Sequence, residues 1–450
     1  MKLFRGIRSV PVVAVLVLAT GFHTSAAVAD TAPIVHAWGY NFFGQVGNGT
    51  NDTPVTRPIP MVSAGGHDVV QVSGVYLESY GLHADGSLWT WGNGTQQIPE
   101  PVPGLPPIKQ VSSGIGHTLA VGRDGSLWAW GSNDFGELGD GTTDRTPSPV
   151  KVPITGVVQA AAGTGYSLAL RSNGEVFAWG LNRFGQLGDG TTVQRATPVR
   201  VKVPYGITQV SATGEFGMAL RYDGSVWSWG TNFSGELGDG TTTDRPMPVR
   251  VDRHVSGIKE IAAGSGHTLA LGGDGTVWAW GRNWAGQLGD GTVTDHATPV
   301  HLGLSGVAHV SAGQGESLAV DTAGTLRYWG DNTFGQAGNG VASQNNPVIS
   351  PTAVNGLSGV VTASAGIAVL AVAAPGSVVV PDLTGTLGVL ASRPLLAVGL
   401  LLGTKDTTPD SRLCNHLGEV VSQSPQPGST VPAGSKVDIV VAVQPGNGCF

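Results

Sequence analysis

The chain has 450 residues, with 70 glycines, only 12% charged residues and a formal net charge of −7. That balance disfavours nucleic acid as a partner, because phosphate binding needs clustered Lys and Arg. The length leaves room for two domains, and the glycines recur at fixed positions, which removes the low-complexity reading that their number suggests.

Residues 1–29 read as a signal peptide. Lys2, Arg5 and Arg8 precede the apolar run Val10 to Ala19, and Ala27-Val28-Ala29 before Asp30 has the small-x-small form of a signal-peptidase site. The mature chain is then expected to start at Asp30 with no membrane span, and to carry 21 basic against 31 acidic residues, a formal charge of −10.

From Ile34 to Val372 one unit repeats. Its marker is Trp-Gly, at Trp38, Trp91, Trp130, Trp179, Trp229, Trp280 and Trp329, spaced by 53, 39, 49, 50, 51 and 49 residues. A period near fifty is the mark of a repeat architecture whose units cannot fold alone. The first copy starts midway, at Ile34 to Gly39, without the two strands that precede the marker elsewhere. The second lacks the Gly-Asp-Gly-Thr loop, because Gly92-Asn93-Gly94-Thr95 runs straight into the Pro-rich stretch Ile98 to Pro107. One blade is therefore expected to have a shortened loop.

The complete unit is clearest from Ile258 to Pro299. Glu260 to Ala263, His267 to Leu271, Thr276 to Trp280 and Thr298 to Leu302 read as four strands. Asp274-Gly275 joins the second and third, as do Asp85-Gly86, Asp124-Gly125, Asn173-Gly174 and Asp223-Gly224 in their units. Asx-Gly is the strongest short hairpin signal, since a two-residue type I′ turn needs positive φ at both positions. Gly286 to Thr292 forms a tight loop before the fourth strand. Of the 12 tryptophans, nearly all lie in the Trp-x-Trp strands, where packing between adjacent blades is the expected role.

Val360 to Val372 matches the first half of a unit and has no Trp-Gly after it. Joined to Ile34 to Gly39 it completes a seventh blade, so no sheet edge is left open. The fold expected is all-β: a seven-bladed β-propeller over residues 30–374 with a split closing blade, then a linker at 375–379 and a small α+β domain at 380–450. The motifs AGxxHTLAL, DGxVWAWG and NxxGQLGDGT resemble the repeat of the regulator of chromosome condensation family, and that resemblance also implies a seven-bladed propeller.

After Ser377 the pattern changes. Val380-Pro381-Asp382-Leu383-Thr384-Gly385 leads to an apolar segment, Leu387 to Val398, expected to be a helix that Arg393-Pro394 shortens or kinks. Thr404 to Leu417 reads as a long loop, and Lys436 to Val441 as an alternating strand. The order of VPDLTG, QSPQPG and VDIVV resembles the PASTA domain, which implies association with peptidoglycan or β-lactam-like ligands. Cys414 and Cys449 both lie here; in a secreted chain they either form one disulfide, stabilising by roughly 3 to 4 kcal/mol, or never meet because Asn447 to Phe450 fray.

No phosphate loop, His-Glu-x-x-His pair or nucleophilic cysteine is present, so no catalytic residue, cofactor or metal site is expected. Asp140, Asp189, Asp239 and Asp290 stand one per blade, far short of the six to eight oxygens calcium takes, and are expected to cap their own loops. The variable positions are more informative. Where His267 stands, the other units have Glu78, His117, Tyr166, Phe216, Glu316 and Ala368; a mixed ring of this kind either lines one end of the propeller as a partner site or caps each blade's own loop. After Trp-Gly come Phe42, Phe43, Phe135, Phe184, Phe233, Trp284 and Phe334, which are interface anchors if exposed and satellite core if packed. The expected function is a monomeric, secreted or cell-wall-associated bacterial binding protein with an extracellular protein partner and peptidoglycan. The alternatives implied by the resemblance are inhibition of a secreted enzyme such as a β-lactamase and, ranked below it, guanine-nucleotide exchange on a small GTPase.

Overall fold

The computed structural model describes residues 33–61, 68–252, 255–373, 377–397, 400–409, 416–432 and 435–444. The signal-peptide reading and both cysteines lie outside them. Among the described residues no helix is long and apolar enough to cross a membrane.

Seven four-stranded antiparallel sheets follow one another along residues 34–373, each a simple meander except the last. A complete blade, such as Ile258–Ala263, His267–Gly272, Val277–Gly281 and His296–Leu302, has the four strands expected, the last starting two residues early. The closing blade runs Val55–Pro60, Ile34–Gly39, Ala368–Ala373, Val360–Ser364, with Ile34 opposite Ala373 and Trp38 opposite Val369. Chain start and chain end of the propeller are thus paired in one sheet, and the split closing blade is the observed architecture.

The turns between second and third strands differ from the type I′ expectation. Gly125 has φ +80°, but Asp124 is not at positive φ. Gly122 N donates to Ser126 O at 2.8 Å and Gly125 N to Gly122 O at 3.0 Å, a three-residue loop with one left-handed glycine. The aspartate is used through its side chain instead: Asp124 Oδ1 accepts Ser126 N at 2.9 Å and Ser126 Oγ at 2.6 Å. This Asx bond closes the turn without placing a β-substituted residue in the left-handed region.

Blades are held together chiefly through the Trp-Gly tryptophans. Trp179 packs against Leu119, Val121, Leu127 and Leu138 of the preceding blade and is fully buried. Its Nε1 donates to Glu137 O at 2.8 Å, so the ring's one polar atom is satisfied by that blade's loop. The same bond recurs from Trp38, Trp91, Trp229, Trp280 and Trp329 to the carbonyls of Gln336, Gln45, Gln186, Glu236 and Gln287. Gly139 (φ +74°) shows why the loop needs glycine: a Cβ there would meet Trp179 Nε1 at 2.5 Å.

First strands surround a central channel of about 220 Å³. There a second interblade link, invisible in the hydrophobic pattern, recurs from blade to blade. Gln110 Oε1 accepts Ala160 N at 2.9 Å while its Nε2 donates to Ala160 O at 3.0 Å. Gln71 makes the same pair of bonds to Val111, and Gln209 to Ile261. Glu260 takes the equivalent position and binds His309 Nδ1 at 2.6 Å.

The C-terminal residues build their own core from Val380, Leu383, Leu395, Val420, Val437, Ile439 and Val441. Leu401–Thr408 lies parallel to Lys436–Ala442, whose other edge pairs antiparallel with Val420–Ser424. The helix is only Ser392–Ala397, shorter than expected, with Gly388 to Ala391 in turn conformation and Leu387 bridged to Glu419; Pro394 falls in its first turn, where a missing N–H costs nothing. Thr404 to Thr408, expected in a loop, belongs to a strand because its backbone completes the parallel ladder to Lys436–Ala442.

Candidate functional site

The loop between third and fourth strands is braced by its asparagine. Asn133 Oδ1 accepts Leu138 N at 2.9 Å, and its Nδ2 donates to Thr142 O at 3.2 Å and Asp144 O at 3.0 Å. The four aspartates of the Gly-Asp-Gly-Thr loops cap locally: Asp140, Asp189, Asp239 and Asp290 each accept both N–H and Oγ1–H of the threonine two residues on. Burial raises the carboxyls of Asp189, Asp239 and Asp290, but the threonine bonds together with Arg195, Arg245 and, at Asp290, Asn283 and His296 outweigh it and leave them below the ordinary range.

Within the brace the Gln or Glu side chain fixes the loop tip. Gln45 Oε1 accepts Phe43 N at 3.0 Å, Glu137 Oε2 accepts Phe135 N at 2.8 Å, and Gln336 Oε1 accepts Phe334 N at 2.8 Å. The loop aromatics then divide by position. Directly after the asparagine stand Phe42, Phe233 and Trp284, exposed at 56, 62 and 60%. One residue later stand Phe43, Phe184 and Phe334, half-buried, and Phe135, at 38%. Phe184 meets Phe233 edge-on at 5.4 Å, with the Arg183 guanidinium 4.7 Å from the Phe184 centroid.

The ring of residues that open the second strands goes mostly inward. His117, Tyr166, Phe216, His267 and Glu316 are buried, Ala368 also, while Glu78 is half-buried. Ser167 Oγ donates its proton to Glu137 O at 2.7 Å, so His117 Nε2–H must be the donor in its 2.9 Å contact with Ser167 Oγ. His267, Ser317 and Gln287 O repeat the chain of bonds. Tyr166 OH donates to Phe216 O of the next blade. These three side chains therefore face neighbouring blades. Desolvation lowers the imidazoles of His117 to about 4 and His267 to about 3, so both are neutral.

Glu316 is different. It lies at a cavity of about 420 Å³ between the loops of four blades, lined by Tyr40, Phe43, Tyr76, Trp284 and Phe334 together with Gln314, Asp331 and Arg282. Tyr40 is the hub of the rim, 4.6 Å from Phe334 and 6.3 Å from Phe43 between ring centroids. Glu316 is 1% exposed; Oε2 accepts Gly315 N at 3.1 Å and Oε1 meets Gln336 Nε2 at 3.4 Å. Burial first, then the charge of Asp331, pushes its carboxyl up to about 7.

The structure thus gathers Glu316, Phe43, Trp284 and Phe334 in one place and leaves Phe135, Phe184 and Phe233 outside it. Tyr40, Arg282 and Asp331 were not singled out in the sequence. They share a signal that was available: each directly follows Trp-Gly, at a position filled by Asn93, Ser132, Leu181 and Thr231 in the other units.

Fold and site together define a seven-bladed β-propeller with an aromatic-rimmed cavity among its loops, followed by a small α+β module. Residues 94–372 match the RCC1-like domain and residues 34–74 the regulator of chromosome condensation (RCC1) repeat, and the chain belongs to that family. Residues 378–443 match the PASTA domain. Among solved structures, human WBSCR16 is similar at 22% identity and TM-score 0.68, over 76% of this chain and 99% of that one. Prp20p from Saccharomyces cerevisiae is similar at 21% identity and TM-score 0.68, over 77% and 92%. At such identities the likeness is one of fold.

Proposed function

We propose that the chain is a non-enzymatic binding scaffold that works outside the cell, with the propeller holding a protein partner and the PASTA domain associating with peptidoglycan. The carrying observation is the aromatic rim, in which half-buried and exposed rings from four blades surround one cavity; aromatic side chains that keep exposed area are the typical anchors of protein interfaces. The small-residue cleavage motif at Ala27-Val28-Ala29 supports export, and the PASTA match supports a wall role. The yeast protein Prp20p binds Gsp1p and histones, a precedent for partner recognition on this fold.

The test is co-sedimentation with insoluble peptidoglycan at moderate salt, using the mature chain and a chain ending at residue 374. Pelleting of the full chain alone supports the assignment of roles. Equal pelleting of the shortened chain moves wall binding to the propeller, and no pelleting of either removes the wall role.

A further inference from the structure

The chemistry inside the cavity selects one kind of ligand group. Its rim is made of π faces, contributed by Tyr40, Phe43, Tyr76, Trp284 and Phe334. Two carboxyls, Glu316 and Asp331, reach the same space, and among the described residues neither has an ion-pair partner. Glu316 is held by the backbone amides of Gly315 and Gln314 and the long Gln336 contact, and Asp331 Oδ1 accepts the amide and hydroxyl of Thr333. Gln314 lines the cavity too, with its amide nitrogen buried and without a hydrogen-bond partner. That amide can turn to present either end, so it offers a further acceptor to an incoming donor. Arg282 is the single cation among the described residues on the walls, and its charge is felt on the side of His267, which it helps to lower after burial, and of Glu236, where it partly offsets the burial that raises the carboxyl.

We infer that the cavity takes an alkylammonium group of the length of a lysine side chain, presented by the partner protein, with the stem against the aromatic rim and the head toward Glu316 and Asp331. The inference rests on reading this face as the partner-binding surface. An apolar stem satisfies the ring faces, which also attract a cation by their quadrupoles. The ammonium's three donors match the unpaired acceptors on the floor, and a space of about 420 Å³ exceeds what one such side chain needs. A carboxylate ligand would meet Arg282 but would also face two acidic groups.

Calorimetric titration of the mature chain at pH 8 with Nα-acetyl-lysine amide, against Nα-acetyl-norleucine amide and Nα-acetyl-glutamate amide, tests this directly. The lysine probe should bind about tenfold more tightly than either of the others. That preference should vanish in Glu316→Gln, which keeps the shape of the buried side chain, and weaken in Trp284→Ala, an exposed position that leaves the fold intact. It should also weaken about tenfold at pH 5, where Glu316 is protonated. Asp331, Arg282, Tyr40, Tyr76, Tyr328 and His267 are the other titratable groups facing it; burial raises the Tyr328 phenol well above its ordinary value and lowers His267 to about 3, so neither changes charge between pH 5 and 8. Equal binding of the norleucine or glutamate probe, or an unaltered lysine preference in Glu316→Gln, overturns the inference. A partner protein retained by the propeller but not displaced by the lysine probe also overturns it, while leaving the protein-binding reading in place. Selective lysine-probe binding with no effect of Trp284→Ala on partner retention overturns the partner as the source.

Discussion

Trp130 Nε1 donates to the phenolic oxygen of Tyr80 at 3.2 Å, whereas the other six marker tryptophans donate to a backbone carbonyl of the preceding blade's loop. The cause is the missing loop. The blade before Trp130 turns from Gly92 to Gln96 through three residues, so no Gln or Glu carbonyl is available to the indole. Tyr80 fills the gap from the second strand, also accepting Thr118 Oγ1–H at 3.1 Å and bonding Glu78. Tyr80→Phe should therefore leave a buried indole N–H unpaired and cost about 1–3 kcal/mol. In calorimetry, Tyr80→Phe and Trp130→Phe should be less than additive; full additivity would show that the bond contributes nothing.

The closing blade makes a sharper demand. Deleting residues 360–373 removes Ala368–Ala373, which pairs with Ile34–Gly39, together with Val360–Ser364 beyond it, and takes away the Ser364 contact to Gly74 N at 3.2 Å. The exposed edge should aggregate, and the cooperative thermal transition should be lost, as light scattering and calorimetry would report. Removing residues 377–450 should leave the propeller's transition unchanged, because the module's buried cluster draws only on residues from Val380 onward.

Sequence periodicity carried the blades, the ring closure and the role of the tryptophans, because each depends on spacing and on large apolar side chains. It did not carry the glutamine links of the channel, since Gln71, Gln110 and Gln209 look like ordinary polar residues on the solvent side of an alternating strand. Nor did it separate Trp284 from Phe334. Both follow Trp-Gly, yet a shift of one residue past the bracing asparagine decides which ring is exposed. The cavity joins loops about 240 residues apart in sequence, Tyr40 and Trp284, so no local pattern could announce it.

Acid should destabilise the propeller through its buried histidines. His36, His117 and His267 are lowered by desolvation to about 4, 4 and 3 from 6.5. As pH falls below 6.5 the unfolded chain takes up these protons and the native one does not, so stability is lost down to about pH 4. Each histidine contributes a slope of up to about 1.4 kcal/mol per pH unit. His309 acts in the opposite sense: burial lowers it, but the Glu260 bond outweighs this and holds it above its ordinary value, so its contribution is complete below 6.5 and fades as pH rises. Urea unfolding of His267→Gln at pH 5, 6 and 7 should show a shallower loss than the parent, and an unchanged slope would remove the assignment.

Glu316 gives the complementary test. Its carboxyl is pushed up to about 7 in the folded chain from 4.5. Below 4.5 both states hold the proton and the residue is neutral in the balance. Between 4.5 and 7 the unfolded chain releases it while the native chain retains it, so stability falls as pH rises. Above 7 both are ionised, and the full penalty of a desolvated carboxylate remains, about 3 kcal/mol as an upper bound before the loss of the Gly315 bond is subtracted. Glu316→Gln should therefore be more stable than the parent at pH 8 and close to it at pH 4.5, as read from urea midpoints. A side chain that destabilises its own fold at neutral pH, yet sits at the floor of an aromatic cavity, fits retention for binding better than retention for packing. If Glu316→Gln is no more stable at pH 8 than at pH 4.5 relative to the parent, the carboxyl already has a compensating partner in the free protein, and the cavity has no unmet charge to offer a ligand.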